Sequence, residues 1–533
     1  MSPPKSRSRY MSTLFPSTNS TPLSLLLSKL PDEILSMVFS HATHTRDDPL
    51  SAVSTPLIIS HVCTKWRKVA LSAGSLWTKL AVFSPEIHAS QLIRISTWLT
   101  RSKSYPLEVL LDFRYDEWDW DEYSHPFTGE MMKVILELLL PHVGRWRTFE
   151  MLVDTWEPIH TFLVQTSGVK EVPMLQSVAL SRINAYFVTK GQTFQPDDLK
   201  KPVPLFGGCA LGSLRDAALS GVHVDWTTSY LRNLLNLSFK FHAADVMPSL
   251  KEFQNILAAC PELQSLTVLG WGPRLDGDDD ENDEDKASPV VASRIATLSC
   301  LARFSFGFVD VEYATDFLAM FRLPSLRELE LQDISATLDP MGPLDAAPIL
   351  DWLVSHSIEE SAKRSTCHYP LCRVEYLELE GLRSSGENFS RFLRAFTSLK
   401  KISLSNSDSE LLAALHPVKE HAASLPGSVV VGGFRERRRS SFASTTLAQS
   451  CPGLENMVCR RVDHKFLSEV VSARCQVGSG VRRLRKVEID LQDSGEFEES
   501  SSFTLTKEDR SLLVESGVDL LVHRPASYRD DGE

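Results

Sequence analysis

The sequence predicts an α/β protein: a small N-terminal helical module, then an irregular array of strand–helix units stacked as a solenoid on one curved parallel sheet. Three observations carry that expectation. Apolar residues three and four apart mark a short pair of helical stretches after residue 28. A Leu-x-x-Leu-x-Leu unit with apolar substitutions recurs through most of the remainder. Amphipathic stretches such as Phe253–Cys260 and Phe389–Phe396 lie between those units and read as helices.

Composition narrows the function classes. The 533 residues hold 56 Lys plus Arg against 68 Asp plus Glu, a net charge of −12, with 43% hydrophobic residues. That is ordinary globular composition. An acidic chain is a poor non-specific ligand for phosphate backbones, so no nucleic-acid partner is expected. No apolar run reaches the roughly 20 residues of a membrane-spanning helix, so no membrane partner is expected either. The nine cysteines are odd in number and form no Cys-x-x-Cys pair. That usage fits a reduced compartment, the cytoplasm or nucleus. Residues 1–27, rich in Ser, Pro and Arg, read as a disordered leader, and residues 525–533 as a disordered tail.

Linear signatures of enzymes are missing: no phosphate loop, no Gly-x-Gly-x-x-Gly, no Gly-x-Ser-x-Gly, no His-Glu-x-x-His. Cys367-His368-Tyr-Pro-Leu-Cys372 has an unusual spacing for zinc and no second ligand pair nearby, so it reads as a loop cysteine and a buried one. The stretch Asp116-Glu-Trp118-Asp-Trp120-Asp121-Glu122-Tyr123 reads as an exposed acidic loop whose aromatic residues anchor it to the body, with a sugar-stacking surface as the alternative. No catalytic residue, metal or cofactor is expected.

The module spans residues 28–80. Pro31 suits the first helical position, and Asp32 and Glu33 put negative charge at the positive end of the helix dipole. Ile34, Leu35, Val38, Phe39 and Ala42 form a helical apolar stripe. The polar stretch Thr43–Thr55 follows, with a turn at Arg46-Asp47-Asp48-Pro49. A second helix after Pro56 carries Ile58, Ile59, Val62, Trp66, Val69 and Ala70, ends at Ala73-Gly74-Ser75, and is followed by the anchor Leu76-Trp77. About fifty residues cannot bury so many large side chains alone, so some of this surface needs another unit or a partner.

Leu30-Pro31-x-Glu33-Ile34-Leu35-x-x-Val38-Phe39, with Val62-Cys63-x-x-Trp66-Arg67-x-Val69-Ala70 and Leu76-Trp77, resembles an F-box. The longer form from Ser60 to Trp77 resembles the F-box proteins of mushroom-forming, basidiomycete fungi. The resemblance implies a trihelical module docked on a Skp-type adaptor and, through it, a cullin–RING ubiquitin ligase. It implies adaptor contact by Leu30, Pro31, Ile34, Leu35, Val38 and Phe39, and by Val62, Cys63, Trp66 and Val69, this second set being partly internal core. The segment between the halves is longer than usual and contains Pro49 and Pro56. A module that merely caps the repeats is the other reading.

Repeat units stand at Leu175, Leu214, Leu234, Leu263, Leu301, Leu326, Val374, Leu399, Leu454 and Leu484, with weaker ones at Leu107 and Trp146. Residues 81–160 form a connecting segment with the first irregular repeats, and 161–524 the main array. One strand and one helix per roughly 25–30 residues is the arrangement of leucine-rich repeats. Cys260-Pro261 and Cys451-Pro452 resemble the cysteine-containing repeats behind many F-boxes, where a small buried side chain suits a tight helix-to-strand passage. Spacing is uneven, 20 residues from Leu214 to Leu234 and 55 from Leu399 to Leu454, so insertions are expected. An acidic loop (275–287) and a basic loop (432–444, with Arg435 to Arg439 beside Ser440 and Ser441) stand out, the second resembling a basophilic kinase site, with a nuclear-targeting patch or an inert loop as the alternatives.

Residues alternating with the repeat leucines would line the inner wall, among them Glu328, Glu330, Tyr376, Glu378 and Glu380. An acidic wall would favour a basic target segment; a merely soluble sheet face is the other reading. The sequence thus points to a non-catalytic receptor joining an adaptor to a target protein, with a scaffold outside any ubiquitin system as the alternative.

Overall fold

In the computed structural model the described residues are 30–45, 48–182, 188–275, 295–335, 342, 344–357, 368–417, 449–491 and 505–523. The leader, residues 276–287 of the acidic loop, the basic loop with Ser440 and Ser441, Cys367 and the tail lie outside them. The chain divides into two compact units, residues 1–82 with 88–110, and residues 83–87 with 111–533.

The first unit is helical at its start. Helix α1 (Asp32–His44) begins one residue after Pro31, which occupies the N-cap rather than the first helical position. Helix α2 (Pro49–Ser60) corrects the sequence expectation of a polar connection up to Pro56. Asp48 caps it by accepting from the backbone nitrogens of Leu50 and Ser51 at 3.2 and 2.8 Å, and Pro49 takes the first turn, where its missing N–H costs nothing. Pro56 therefore lies inside a helix, not before one. The break comes later, at His61–Cys63, and Cys63 caps helix α3 (Thr64–Ser72) by accepting from Trp66 N at 3.4 Å. These three helices pack on one another.

Leu76 and Trp77 are buried, as expected of an anchor. Trp77 donates its indole N–H to the Ala70 carbonyl at 2.8 Å, meets Trp98 edge-on at 4.8 Å and lies under the Arg101 guanidinium. Trp98 and Arg101 belong to helix α4 (Ala89–Arg101), so the unit covers this anchor itself. Strand β1 (Lys79–Phe83) and the start of strand β2 (Leu107–Asp112) complete it.

In the second unit the apolar period of two dominates. Strands β3 (Trp146–Val153), β4 (Ser177–Arg182), β5 (Asp216–Ser220), β6 (Asn236–Lys240), β7 (Ser265–Leu269), β9 (Arg303–Phe308), β11 (Glu328–Asp333), β12 (Tyr376–Glu380), β13 (Lys401–Ser405), β14 (Asn456–Arg460), β15 (Lys486–Asp490) and β16 (Asp519–His523) pair in that order, every neighbour parallel. The short strands β8 (Ala296–Thr297) and β10 (Phe321–Arg322) pair separately. Each repeat leucine of the sequence motif sits where the pattern places it. Leu329 and Leu331 align with Leu377 and Leu379, these with Ile402 and Leu404, and all are buried. Helices α5 (Gly129–Leu139), α6 (Trp156–Thr166), α7 (Leu250–Ala258), α8 (Val311–Ala319), α9 (Ala347–Ser355), α10 (Gly386–Arg394), α11 (Ser409–Ala414), α12 (His464–Cys475) and α13 (Lys507–Glu515) lie in most of the connections, while among the described residues those from β4 to β5, β5 to β6 and β7 to β9 hold no α-helix. Parallel neighbours require such crossovers, and the succession is solenoid-like.

Cys260 and Cys451 are buried at the helix-to-strand passages, bonding the carbonyls of Leu231 and Leu393 at 3.7 and 3.3 Å. Burial pushes the Cys451 thiol up to about 12, so it serves packing rather than chemistry. Two buried histidines follow β5 and β6. His223 Nε2 lies 2.8 Å from the Lys200 carbonyl, and His242 Nε2 lies 2.8 Å from that of Val222.

Candidate functional site

The first unit's helices are apolar on two sides. On α1, Leu35 and Phe39 point inward and are 1% exposed, while Ile34, Met37 and Val38 are 43%, 67% and 53% exposed. On α2, Ala52, Val53 and Ile59 are buried, whereas Leu50, Leu57 and Ile58 are exposed. Val62, between α2 and α3, is exposed too. A helix segment such as Pro49-Leu-Ser-Ala-Val-Ser-Thr-Pro-Leu-Ile-Ile, apolar around its circumference, belongs inside a larger assembly. Adjacent packed helices that each show solvent a row of large apolar side chains are the usual mark of a protein-docking surface.

The ten expected contact residues separate into two groups. Pro31, Ile34, Val38, Val62 and Cys63 are exposed, and Leu30 is half-buried. Leu35 and Phe39 are corrected: they turn toward the other helices and form the module's own core, and Val69 is the core member of the second set. Trp66 is half-buried with its ring 4.8 Å from Phe39, so it too mainly serves the interior. Lys65 donates to the Leu30 carbonyl at 2.6 Å and lies 3.8 Å from Asp32, tying the start of α1 to α3.

Met37, Leu50, Leu57 and Ile58 complete the exposed set, and sequence reasoning missed their role. For Met37 the signal was present, since 34, 37 and 38 repeat at helical spacing. For Leu50 the expected start of α2 after Pro56 hides it, and Ile58 stands among the apolar residues of the expected second helix, whose spacing alone does not say which of them face outward.

The sheet residues also lie as the alternation requires. Glu328 aligns with Tyr376, Glu330 with Glu378, and Glu378 with Ser403. The face is less uniformly acidic than expected. Arg303 Nε pairs with Glu328 at 2.5 Å, and Arg460 lies 3.7 Å from Glu378 and 3.6 Å from Asp490. Tyr376 donates to Glu378 at 2.5 Å, with Lys401 over its ring. Burial, with the neighbouring charges of Glu378 and Glu330, raises the Glu380 carboxyl above its usual range. Glu330 and Glu380 make no salt bridge among the described residues. No group of His, Cys, Asp and Glu able to hold a metal ion occurs among the described residues.

Residues 27–82 match the F-box-like family model. No curated protein matches the chain. Among solved structures, the crystal structure of the Rad7 and Elc1 complex in yeast is similar at a TM-score of 0.35 and 12% identity, covering 96% of this chain and 97% of that one.

Proposed function

We propose that the helical module docks on a Skp-type adaptor and that the strand–helix unit, a leucine-rich-repeat-like receptor, holds a target protein for ubiquitin transfer by a cullin–RING ligase. The observation that carries this reading is the row of exposed apolar side chains Ile34, Met37, Val38, Leu57, Ile58 and Val62 within the segment that matches the F-box-like model. Burying such side chains against a partner yields about 1.5–3 kcal/mol each at best, ample for a stable complex. The chain itself transfers nothing. It raises the effective concentration of a target lysine near the charged enzyme. The described cysteines are free thiols, in keeping with work in the cytoplasm or nucleus of a fungal cell.

The test is affinity capture of purified adaptor by the full chain. Ile34→Glu with Ile58→Glu places two charges in the apolar contact while leaving Leu35, Phe39 and Val69 untouched. Capture should weaken by at least about a hundredfold, since each buried unpaired charge costs several kcal/mol. Unfolding of the variant should match the parent. Leu30→Ala with Pro31→Ala, at the start of the module, should likewise abolish capture. Undiminished capture by either variant refutes the assignment, and a parent chain that never captures the adaptor favours the scaffold reading.

A further inference from the structure

The segment between β2 and α5 is a loop closed at its base, where the buried rings of Phe113 and Phe127 stack at 3.8 Å. The sequence reading assigned its anchoring to the aromatic residues of the acidic stretch; the structure assigns it elsewhere. Glu122 accepts from the backbone nitrogen of Trp156 and from Arg182 Nη2, the latter at 2.8 Å. Arg182 is 2% exposed and donates its other terminal nitrogen to the Gln195 carbonyl at 2.6 Å. The buried His125 holds Asp154 at 3.0 Å, and the same carboxylate oxygen accepts from Tyr115 N at 2.8 Å. Two polar anchors therefore fix the loop from beneath.

The aromatic rings lead outward instead. His125 meets Trp118 edge-on at 5.9 Å, and Trp118 meets Trp120 at 5.2 Å. Trp120 is 69% exposed and Tyr123 is 82% exposed. An unconstrained loop would fold such rings down onto the nearest apolar surface. Here the buried Glu122–Arg182 ion pair and the His125–Asp154 hydrogen bond hold the backbone in a form that displays them. Asp116, Glu117, Asp119 and Asp121 are exposed beside these rings, and Glu117, Asp119 and Asp121 make no salt bridge among the described residues.

Ring faces are electron-rich, and uncompensated carboxylates surround them, so the complementary ligand is a cation with a flat or apolar body. We propose that the loop closed by Phe113 and Phe127 is a docking surface for an arginine-rich segment of a partner protein, its guanidinium groups lying on Trp120 and Tyr123 while Asp119 and Asp121 accept their N–H donors. Arginine suits it better than lysine because the planar guanidinium stacks on a ring and still offers N–H donors at its edge. The uncompensated negative charge favours this occupant over a neutral sugar. The inference does not depend on adaptor docking.

The test uses the full chain and a fluorescein-labelled nona-arginine peptide at about 0.15 M salt, with a glycine–serine peptide and maltohexaose as controls. Trp120→Ala with Tyr123→Ala leaves every charge in place and should weaken binding about tenfold. Asp119→Asn with Asp121→Asn should flatten the salt dependence. Tyr123→Ser alone, removing one ring that is 82% exposed, should weaken binding about threefold and serves if the double variant does not fold. A polycation attracted only by the net charge of −12 would ignore the aromatic substitutions. That result overturns the proposal, as does binding of maltohexaose, rather than the peptide, that is lost with the rings.

Discussion

Arg474→Met is expected to destabilise the C-terminal repeats by about 3 kcal/mol, seen as a rise of about a hundredfold in the alkylation rate of Cys451. Arg474 is fully buried and is bonded to backbone carbonyls: Nη1 donates to Leu415 at 2.8 Å and Ser450 at 3.2 Å, and Nη2 to Cys451 at 2.7 Å. One side chain of α12 thus joins the end of α11 to the strand entry of β14, positions far apart in the chain. Methionine fills a similar volume but leaves the Leu415 and Ser450 carbonyls without this donor, whereas Cys451 O still accepts from Leu454 N at 3.2 Å. Removing the cation recovers part of its desolvation cost, which already holds the Arg474 pKa below its usual value. Three charge-assisted bonds at about 1.5–3 kcal/mol each outweigh that recovery. Arg474→Lys keeps the charge without the fork and should fall between the two. Cys451 sits at the clamp with its thiol pushed up to about 12 by burial, while exposed Cys63 provides the reference rate. Equal Cys451 labelling in parent and Met variant would show that the clamp contributes nothing.

The same residues explain what the sequence disclosed. A leucine pattern of period two has one good solution, so the strand of each repeat unit from Leu107 to Leu484 is legible one by one, whereas the two-residue strands β8 and β10 are too short to carry such a pattern. Strand β16 was not, because its residues are mostly exposed or half-buried and carry no strong alternation. The start of α2 was missed for a local reason: Asp48-Pro49 is both a turn signal and a cap followed by a first-turn proline, and only the hydrogen bonds to Leu50 and Ser51 decide between them. At the candidate docking surface, helical spacing identifies apolar positions but not which side faces inward. Leu35 and Ile34 look equivalent in sequence, and burial alone separates them. The Trp120 loop failed in the opposite sense. Its anchors are Glu122 and His125, whose partners Arg182 and Asp154 lie far along the chain, beyond any local pattern.

Acid should loosen the middle of the repeat array before its ends, through His223 and His242. Both are buried and hydrogen-bonded as neutral rings, and burial lowers each pKa to about 4 from an ordinary 6.5. The unfolded chain takes up protons as pH falls below about 6.5, while the folded chain resists until near 4. The neutral rings therefore favour folding above pH 6.5, and that advantage is lost as pH falls toward 4. A gap of this size amounts to about 3 kcal/mol for each histidine. The groups acting on His223 are Asp245, which eases protonation, and Arg182 and Lys200, which oppose it; His223 in turn opposes protonation of His242. His223 also stacks on Trp156 at 4.6 Å, so protonation places a desolvated cation against the entry of α6, a cost that the hydrogen bond to the Lys200 carbonyl only partly offsets. Hydrogen exchange of β5 and β6, corrected for intrinsic rate, should accelerate steeply between pH 6.5 and 4.5. His223→Gln with His242→Gln keeps an N–H donor at each carbonyl and removes the titration. The double variant should be less stable at pH 7.5 yet nearly flat across the same interval, and identical slopes in parent and variant would assign the acid sensitivity to other groups.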